Sequence, residues 1–242
     1  MKSLPTSKKA ILELIETGIK LPMATQNYPS RGQSAVQELY QTKLGKLFLK
    51  RVSKRNHTEC QVKIENGTIA EREFWASSLA KDIGLDVPSI FLIDEFTTVQ
   101  PWLDYPDGHI YSSHEGRMEF NIENIFDCGI FDWLTGQVDR HDANYLYNLT
   151  EQKIILVDSG HSFLKYDGSL PDYLKLFEMT GKLELKQLLQ SKIKDRIIKL
   201  SDDHIHKLVP LKDIEEKEAF FRRKNKLNDI ASLEDLISLY RR

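Results

Sequence analysis

The chain has 242 residues, 40% of them hydrophobic and 29% charged, with 34 Lys and Arg against 36 Asp and Glu for a formal net charge of −2. That length allows one large domain or two small lobes sharing a cleft, and the composition excludes a disordered or fibrous protein. The balance of charge removes any global pull toward nucleic acid or anionic membrane, and no apolar run approaches the roughly 20 residues that cross a bilayer.

Cys60 and Cys128 are too few for a disulfide framework and point to a reducing compartment. Lys2, Lys8 and Lys9 precede apolar residues that Glu13 and Glu16 interrupt, so the unbroken apolar stretch of roughly 7–15 residues in a secretory signal is missing. The sequons at Asn56, Asn66 and Asn148 then read as chance. The expected location is the cytoplasm, or a destination reached by a route that leaves no such signal.

In chain order, Ile11, Leu12, Ile15 and Ile19 predict an amphipathic helix over residues 8–19. A turn-rich loop, Ser30–Ser34, leads into a strand over Ala35–Tyr40, a turn near Gly45 and a second strand through Leu47, Phe48 and Leu49 that ends at Lys50. Thr68 with Glu71 three residues on is a capping box, and its helix runs to Gly84. Strands follow at Ile90–Ile93 and Thr97–Val99. Pro101, Pro106 and Gly108 make Gln100–Gly108 the best boundary, dividing the chain into residues 1–103 and 104–242. The second part opens with a helix near Asn121 whose Ile122, Ile125, Phe126, Gly129, Trp133 and Leu134 form one apolar face. Two short strands come next, Tyr145–Tyr147 and Lys153–Val157, and from Asp172 to Arg242 the pattern is helical almost throughout. Its last helix starts at Ser232 with Asp235 three residues on.

Chemistry concentrates in Asp139-Arg140-His141-Asp142-Ala143-Asn144 and, after a short gap, Asp158-Ser159-Gly160. Asp, Asn and Gly each also serve turns, so the spacing carries the signal. With residues 145–157 as a hairpin centred on 151, Asn144 and Asp158 face each other across its open end, roughly 4.5–5.5 Å apart at the backbone. A carboxylate and an amide oxygen at that distance suit a hard cation such as magnesium, with manganese as the alternative. Asp139, one loop upstream, is placed to take a proton from an attacking hydroxyl. A base, an Asn five residues on and an Asp-x-Gly after a hairpin form a pattern used for phosphoryl transfer.

Asp139-Arg140-His141-x-x-Asn144 resembles the catalytic loop of phosphatidylinositol 3- and 4-kinases and related atypical kinases, and Val157-Asp158-x-Gly160-His161 resembles their metal-binding segment. The superfamily so implied includes HipA-like kinases and actin-fragmin kinase. The likeness is tight over residues 121–164, looser over 28–103 and absent from 165–242. Val138 stands where the lipid kinases usually have Gly, and Ser159 where Phe is usual. The His-Gly-Asp loop of aminoglycoside phosphotransferases is missing. The resemblance implies an α+β, bilobal protein-kinase-like fold with a small β-rich N-lobe, a mainly helical C-lobe, and ATP and magnesium as cofactors.

A kinase of this class needs a strand lysine to hold the nucleotide phosphates and an acid on the following helix to orient it. Lys50 fits the first role. Glu71 is occupied by the capping box, whereas Glu73 falls on the stripe of Ile69, Ala76, Ala80 and Ile83. There it either meets Lys50 or reaches water at the stripe's edge. Gly32 and Ser34 are candidate phosphate contacts by position before Lys50, and Trp102 is the candidate for stacking on adenine. His141 either relays a proton or contacts phosphate, or it braces the loop. His204-x-His206 lacks a third ligand for zinc, and Arg222-Arg223-Lys224 reads as a solvated helix face.

Residues 161–182 contain only Lys165, Lys175 and Lys182, spaced among Asp167, Asp172 and Glu178. This argues against a phosphoinositide head group and for a protein Ser or Thr hydroxyl as acceptor. The expected function is therefore a protein Ser/Thr kinase. A lipid kinase, a nucleotidyl transferase and a kinase-fold binding module remain as alternatives.

Overall fold

The computed structural model describes residues 5, 7–22, 35–52, 64, 66–110, 119–165, 168–180 and 182–241. Ser7 caps the first helix, α1 (Lys8–Glu16), by accepting from the Ala10 N–H. The helix stops short of residue 19. Thr17 and Gly18 turn the chain, and Ile19 opens a strand, β1 (Ile19–Leu21), where it is 69% exposed.

Strands β2 (Ala35–Thr42) and β3 (Gly45–Val52) form a hairpin around Gly45, whose φ of 119° a side chain would strain. With β4 (Phe91–Asp94) and β5 (Thr97–Pro101) they complete an antiparallel sheet of order β1-β2-β3-β5-β4. Alternation along β3 turns Leu47 and Leu49 to a small core with Ile11, Leu14, Ile93 and Val99. Phe48 and Lys50 consequently occupy the opposite face.

Helix α2 (Ile69–Ile83) begins with the expected capping box. Thr68 Oγ1 accepts from the Glu71 N–H at 3.1 Å, and Glu71 Oε2 accepts from the Thr68 N–H at 2.9 Å. It ends at Gly84 in the left-handed region, φ 81°. Its apolar residues Trp75, Ala76, Leu79, Ala80 and Ile83 join the larger of the two cores rather than the sheet's.

That larger core is built on α3 (Ile122–Thr135), which Asn121 caps and Gly136 ends at φ 58°. The hairpin β6 (Tyr145–Asn148) and β7 (Lys153–Leu156) packs on α3. Then come α4 (Asp172–Thr180), α5 (Lys182–Leu185), α6 (Lys192–Lys199), α7 (Asp202–Leu208), α8 (Ile214–Lys226) and α9 (Leu233–Tyr240). Phe220 of α8 and Leu236 of α9 reach the same core. The fold is thus α+β, as expected, with a β-rich part ahead of a mainly helical one. Among the described residues no helix is long and apolar enough to cross a membrane.

Besides the helix end, and a β3 that runs past Lys50 to Val52, two expectations need correction. In the β6–β7 hairpin Tyr145 pairs with Leu156, which sets Asn144 opposite Val157 and not opposite Asp158. The shift of one residue comes from the turn. Asn148 Oδ1 accepts from the N–H groups of Thr150 and Glu151, and Gln152 adopts φ 55°, so the loop closes on an Asn148–Lys153 pair. Arg223 does not belong to a solvated face. It is 2% exposed and donates to the Leu134 and Leu164 carbonyls at 3.0 Å each, inside the larger core, while Arg222 stays exposed. The run of three basic residues predicted the surface, but Arg223 falls three residues after Phe220, on the buried side of α8 with Glu216 and Ala219.

Candidate active site

The face of β3 opposite its core presents Lys50, 3% exposed, whose register partner on β5 is Thr98. A lone ammonium in that position would be costly. Here Nζ lies 3.5 Å from Glu73 Oε2 and donates to Asp158 Oδ1. Thr98 Oγ1 donates to the same Glu73 oxygen at 3.4 Å. Glu73, not Glu71, therefore faces the lysine, and at 2% exposure it does not reach water.

The electrostatics of the trio follow from burial and proximity. Burial alone would push the Lys50 ammonium down, but the Asp158 and Glu73 carboxylates outweigh it and hold its pKa above the ordinary lysine value. Burial raises the Glu73 carboxyl, and the facing Asp158 adds to that against the pull of Lys50. Asp158 also loses hydration, yet the Lys50 charge and hydrogen bond keep its carboxyl below the usual range.

Asp158 reaches Lys50 because its φ of 51° carries it out of the ladder immediately after Val157. The Val157 N–H still donates to the Asn144 carbonyl at 3.1 Å. Asn144 and Asp158 are thus neighbours at the hairpin's open end, though not register partners. Asn144 Nδ2 donates to the Asp139 carbonyl at 2.6 Å. That bond turns the amide so that its oxygen is the atom left for a cation. The second Asp158 oxygen likewise has no hydrogen-bond donor among the described residues. One carboxylate and one amide oxygen fit magnesium, which takes few protein ligands and keeps waters and phosphate oxygens.

Arg140 fixes this loop from below. It is buried, ion-pairs with Asp132 of α3 at 2.9 Å, and donates to the Asn144 carbonyl at 2.6 Å and to the Val157 carbonyl. It also donates to Ser159 Oγ at 2.9 Å. Through Arg140, Ser159 is therefore tied to the loop 139–144.

Asp139 remains 42% exposed at its side chain. Its Oδ2 lies 3.1 Å from His161 Nδ1. His161 is a further candidate that sequence reasoning did not single out; the signal was its place directly after Gly160. His141 Nδ1 accepts from the Ala143 N–H at 3.2 Å, and its Nε2 lies 3.8 Å from Asp139 Oδ1. The ring, half exposed, thus both braces the turn and borders Asp139.

Trp102 is less directly involved. It packs on Phe48 with ring centroids 5.7 Å apart, on the Lys50 face of the sheet, and its indole donates to Asp104 at 2.8 Å. No bond or ring contact joins it to Lys50, Glu73, Asp139, Asn144 or Asp158 among the described residues. Gly32 and Ser34 lie outside the described residues, as does Cys60. His204 is engaged by Asp82 at 3.0 Å, and His206 packs edge-on against Phe221.

No family model and no curated protein matches the chain. Among solved structures it is similar to the proinflammatory kinase CtkA of Helicobacter pylori, at 12% identity and TM-score 0.43, over 86% of this chain and 91% of that one. It is similar also to the Rio2 kinase of Chaetomium thermophilum in complex with ADP, magnesium and phosphoaspartate, at 11% identity and TM-score 0.43, over 91% and 85%. A third likeness is to the open conformation of CtTel1, at 12% identity and TM-score 0.40, where 85% of this chain spans 11% of that one.

Proposed function

We propose that the chain is an ATP- and magnesium-dependent phosphotransferase of the atypical kinase type, with residues 1–103 as N-lobe and 104–242 as C-lobe, acting on a protein Ser or Thr hydroxyl. The observation that carries this reading is the trio of buried Lys50, buried Glu73 and half-buried Asp158, drawn from a strand, a helix and the end of a hairpin. With Lys50 and Glu73 shut away from water and Asp158 only partly so, these three charges are costly for stability alone. They are the groups phosphoryl transfer needs at one point.

In this mechanism Lys50 grips the nucleotide phosphates and Glu73 holds its ammonium in line. Asn144 and Asp158 hold the magnesium ion, whose charge offsets that of the triphosphate. Asp139 accepts the proton as the acceptor oxygen forms its bond to the γ-phosphorus and the bridging bond to ADP breaks. His161 and His141 orient Asp139. Trp102 with Phe48 offers an aromatic surface for adenine on the Lys50 face, and Gly32 and Ser34 remain candidates for covering the phosphates. Rate enhancement comes from positioning and charge neutralisation.

A protein acceptor is favoured over a phosphoinositide because the lysines after the metal segment are already beside acids. Lys165 pairs with Glu215 at 2.7 Å and Lys175 with Asp172 at 2.6 Å, so among the described residues they form no convergent cationic surface.

The test uses labelled ATP with a cell extract and, in parallel, phosphatidylinositol vesicles, with Asp139→Ala as the blank. Labelled protein, carrying one phosphoryl group rather than one AMP by mass spectrometry, is expected. Labelled lipid without any labelled protein, the enzyme included, would overturn the acceptor assignment. Calorimetry of Asp158→Ala with ATP is expected to lose its magnesium dependence; an unchanged dependence removes Asp158 from the site.

A further inference from the structure

Helix α2 carries Glu73 on one turn and, on the face beside it, Ile69, Arg72 and Trp75 at steps of three. Each of these meets the segment that follows Asp158. A Cβ on Gly160 would stand 2.3 Å from Ile69 Cγ2, so helix and segment touch without a side chain between them. The Trp75 ring lies 6.4 Å from that of Phe163, which in turn lies 6.0 Å from Phe220 of α8.

Arg72, at the centre, is fully buried. Its Nε donates to the Asn66 carbonyl at 2.8 Å, ahead of the helix, and Nη1 donates to the Ser162 carbonyl at 2.6 Å. Its Nη2 donates to both oxygens of Glu216 on α8, at 2.7 and 2.6 Å, and Glu216 is 1% exposed. One guanidinium thus joins three stretches of chain: the helix that bears Glu73, the segment that bears Asp158 and His161, and the helical body.

We propose that the Arg72–Glu216 pair is an internal lock that keeps Glu73 against Lys50 and the segment 158–164 in place, so that the site is assembled without phosphorylation or a partner. In kinases switched by phosphorylation, an added phosphate orders the segment after the metal aspartate by pairing with arginine. Here the anion is the Glu216 carboxylate, built into the chain and sealed from water. Arg72 is a positioning residue in this scheme: it touches neither nucleotide nor acceptor and acts through Glu73 and the segment. The proposal rests on the phosphotransfer reading for its consequence, but the lock itself is a matter of structure.

The experiment has two parts that separate these. Hydrogen exchange compares the wild type with Glu216→Gln, which keeps size and loses charge. Protection is expected to fall over residues 69–83 and 158–165 while 122–135 is unaffected. Unchanged exchange in all three stretches overturns the lock, whether or not the protein turns over ATP. Should Glu216→Gln fail to fold, Arg72→Lys gives the same comparison, because a lysine keeps the charge but cannot span Asn66, Ser162 and Glu216 together.

On activity, wild type stripped by a broad phosphatase is expected to retain its rate within about twofold. A loss of tenfold or more overturns the claim that no phosphorylation is needed. Glu216→Gln, normalised to ATP-binding sites by calorimetry, is expected to lose kcat at least about tenfold with KM for ATP little changed, since orientation and not capture is impaired. Glu216→Asp should recover part of that loss. A uniform rise in KM at unchanged kcat counts against a positioning role. A wild type that turns over no ATP fails the functional reading alone and leaves exchange to decide the lock.

Discussion

Glu71 and Glu73 differ by two positions on one helix and have unrelated work. Glu71 closes the capping box, a task glutamine also performs, so Glu71→Gln is expected to hold turnover within about twofold. Glu73→Gln removes the charge that aligns Lys50 and is expected to lower turnover roughly a hundredfold, the scale on which positioned charge contributes. The sign of the pH dependence follows from the raised Glu73 carboxyl. As pH falls through that raised value the residue becomes neutral and frees Lys50, so the acid limb of the rate profile should lie above the ordinary glutamate value of 4.5. The limb should vanish in Glu73→Gln. Reversed ranking of the two mutants would break the assignment.

Asp127 poses a stability question of the same kind. Burial, with Glu123 nearby, pushes its carboxyl up to about 6 even though Ser191 donates to it. A carboxyl whose folded value is raised favours the native state below its unfolded value and loses that contribution as pH rises through about 6. Asp127→Asn keeps an acceptor for Ser191 and removes the charge. It is expected to stabilise the protein by about 1–2 kcal/mol at pH 7.5, allowing for partial exposure, with the gain closing by pH 4. Melting temperatures that differ equally at both pH values would refute the charge argument.

At the level of elements, helix ends were the most legible part of the sequence. Caps are local: Thr68 with Glu71, Asn121, Ser232 with Asp235 and the closing Gly84 all act within a turn of where they stand, whereas the end of α1, which no glycine marks in time, was placed three residues too late. The pairing of Lys50 with Glu73 was readable as one of two outcomes, because a carboxylate on an apolar stripe either meets a cation or reaches water at the edge. What could not be read depended on contacts distant in sequence or on one torsion. The hairpin register turned on φ at Gln152, Arg223 on the carbonyls of Leu134 and Leu164, and the His161–Asp139 contact on the return of the chain after Gly160. β1 is three residues long, too short to show alternation.

Gly84 shows how a cap also serves packing. Besides its φ of 81°, a Cβ there would stand 1.8 Å from Arg196 Nη1, which donates to the Ile83 carbonyl at 2.8 Å. Gly84→Ala is expected to cost about 1–2 kcal/mol, of which the backbone strain accounts for about 1. In an Arg196→Ala background the cost should shrink toward the strain alone. An identical cost in both backgrounds, by urea denaturation, would show that the arginine yields freely.

Across the whole molecule, apolar burial is unequally divided. Among the described residues six buried ones form the sheet's core, whereas the larger core gathers residues from α2, α3, the hairpin and the C-terminal helices. Small cores give little stabilisation, so the sheet is expected to open at lower free energy than the helical body. Helix α2, although it precedes β4 and β5 in the chain, should exchange with the helical body, to which Trp75 and Arg72 bind it. Native-state hydrogen exchange in rising urea checks both statements: α2 amides that merge with those of β2 and β3 would contradict them.

The contact between Lys50 and Asp158 has a consequence for order of arrival. A divalent ion approaching alone meets a carboxylate whose charge the Lys50 ammonium already offsets, so even at the oxygen without a donor it gains little. A triphosphate entering with the ion gives Lys50 new anions to face and leaves more of the Asp158 charge to the ion. Magnesium by itself is therefore expected to bind far more weakly than magnesium offered with a non-hydrolysable ATP analogue, and Lys50→Met to narrow that gap by leaving Asp158 uncontested. Calorimetric titrations of the two proteins would read it directly, and equal affinities for the bare ion in both would mean that the lysine never stood in its way.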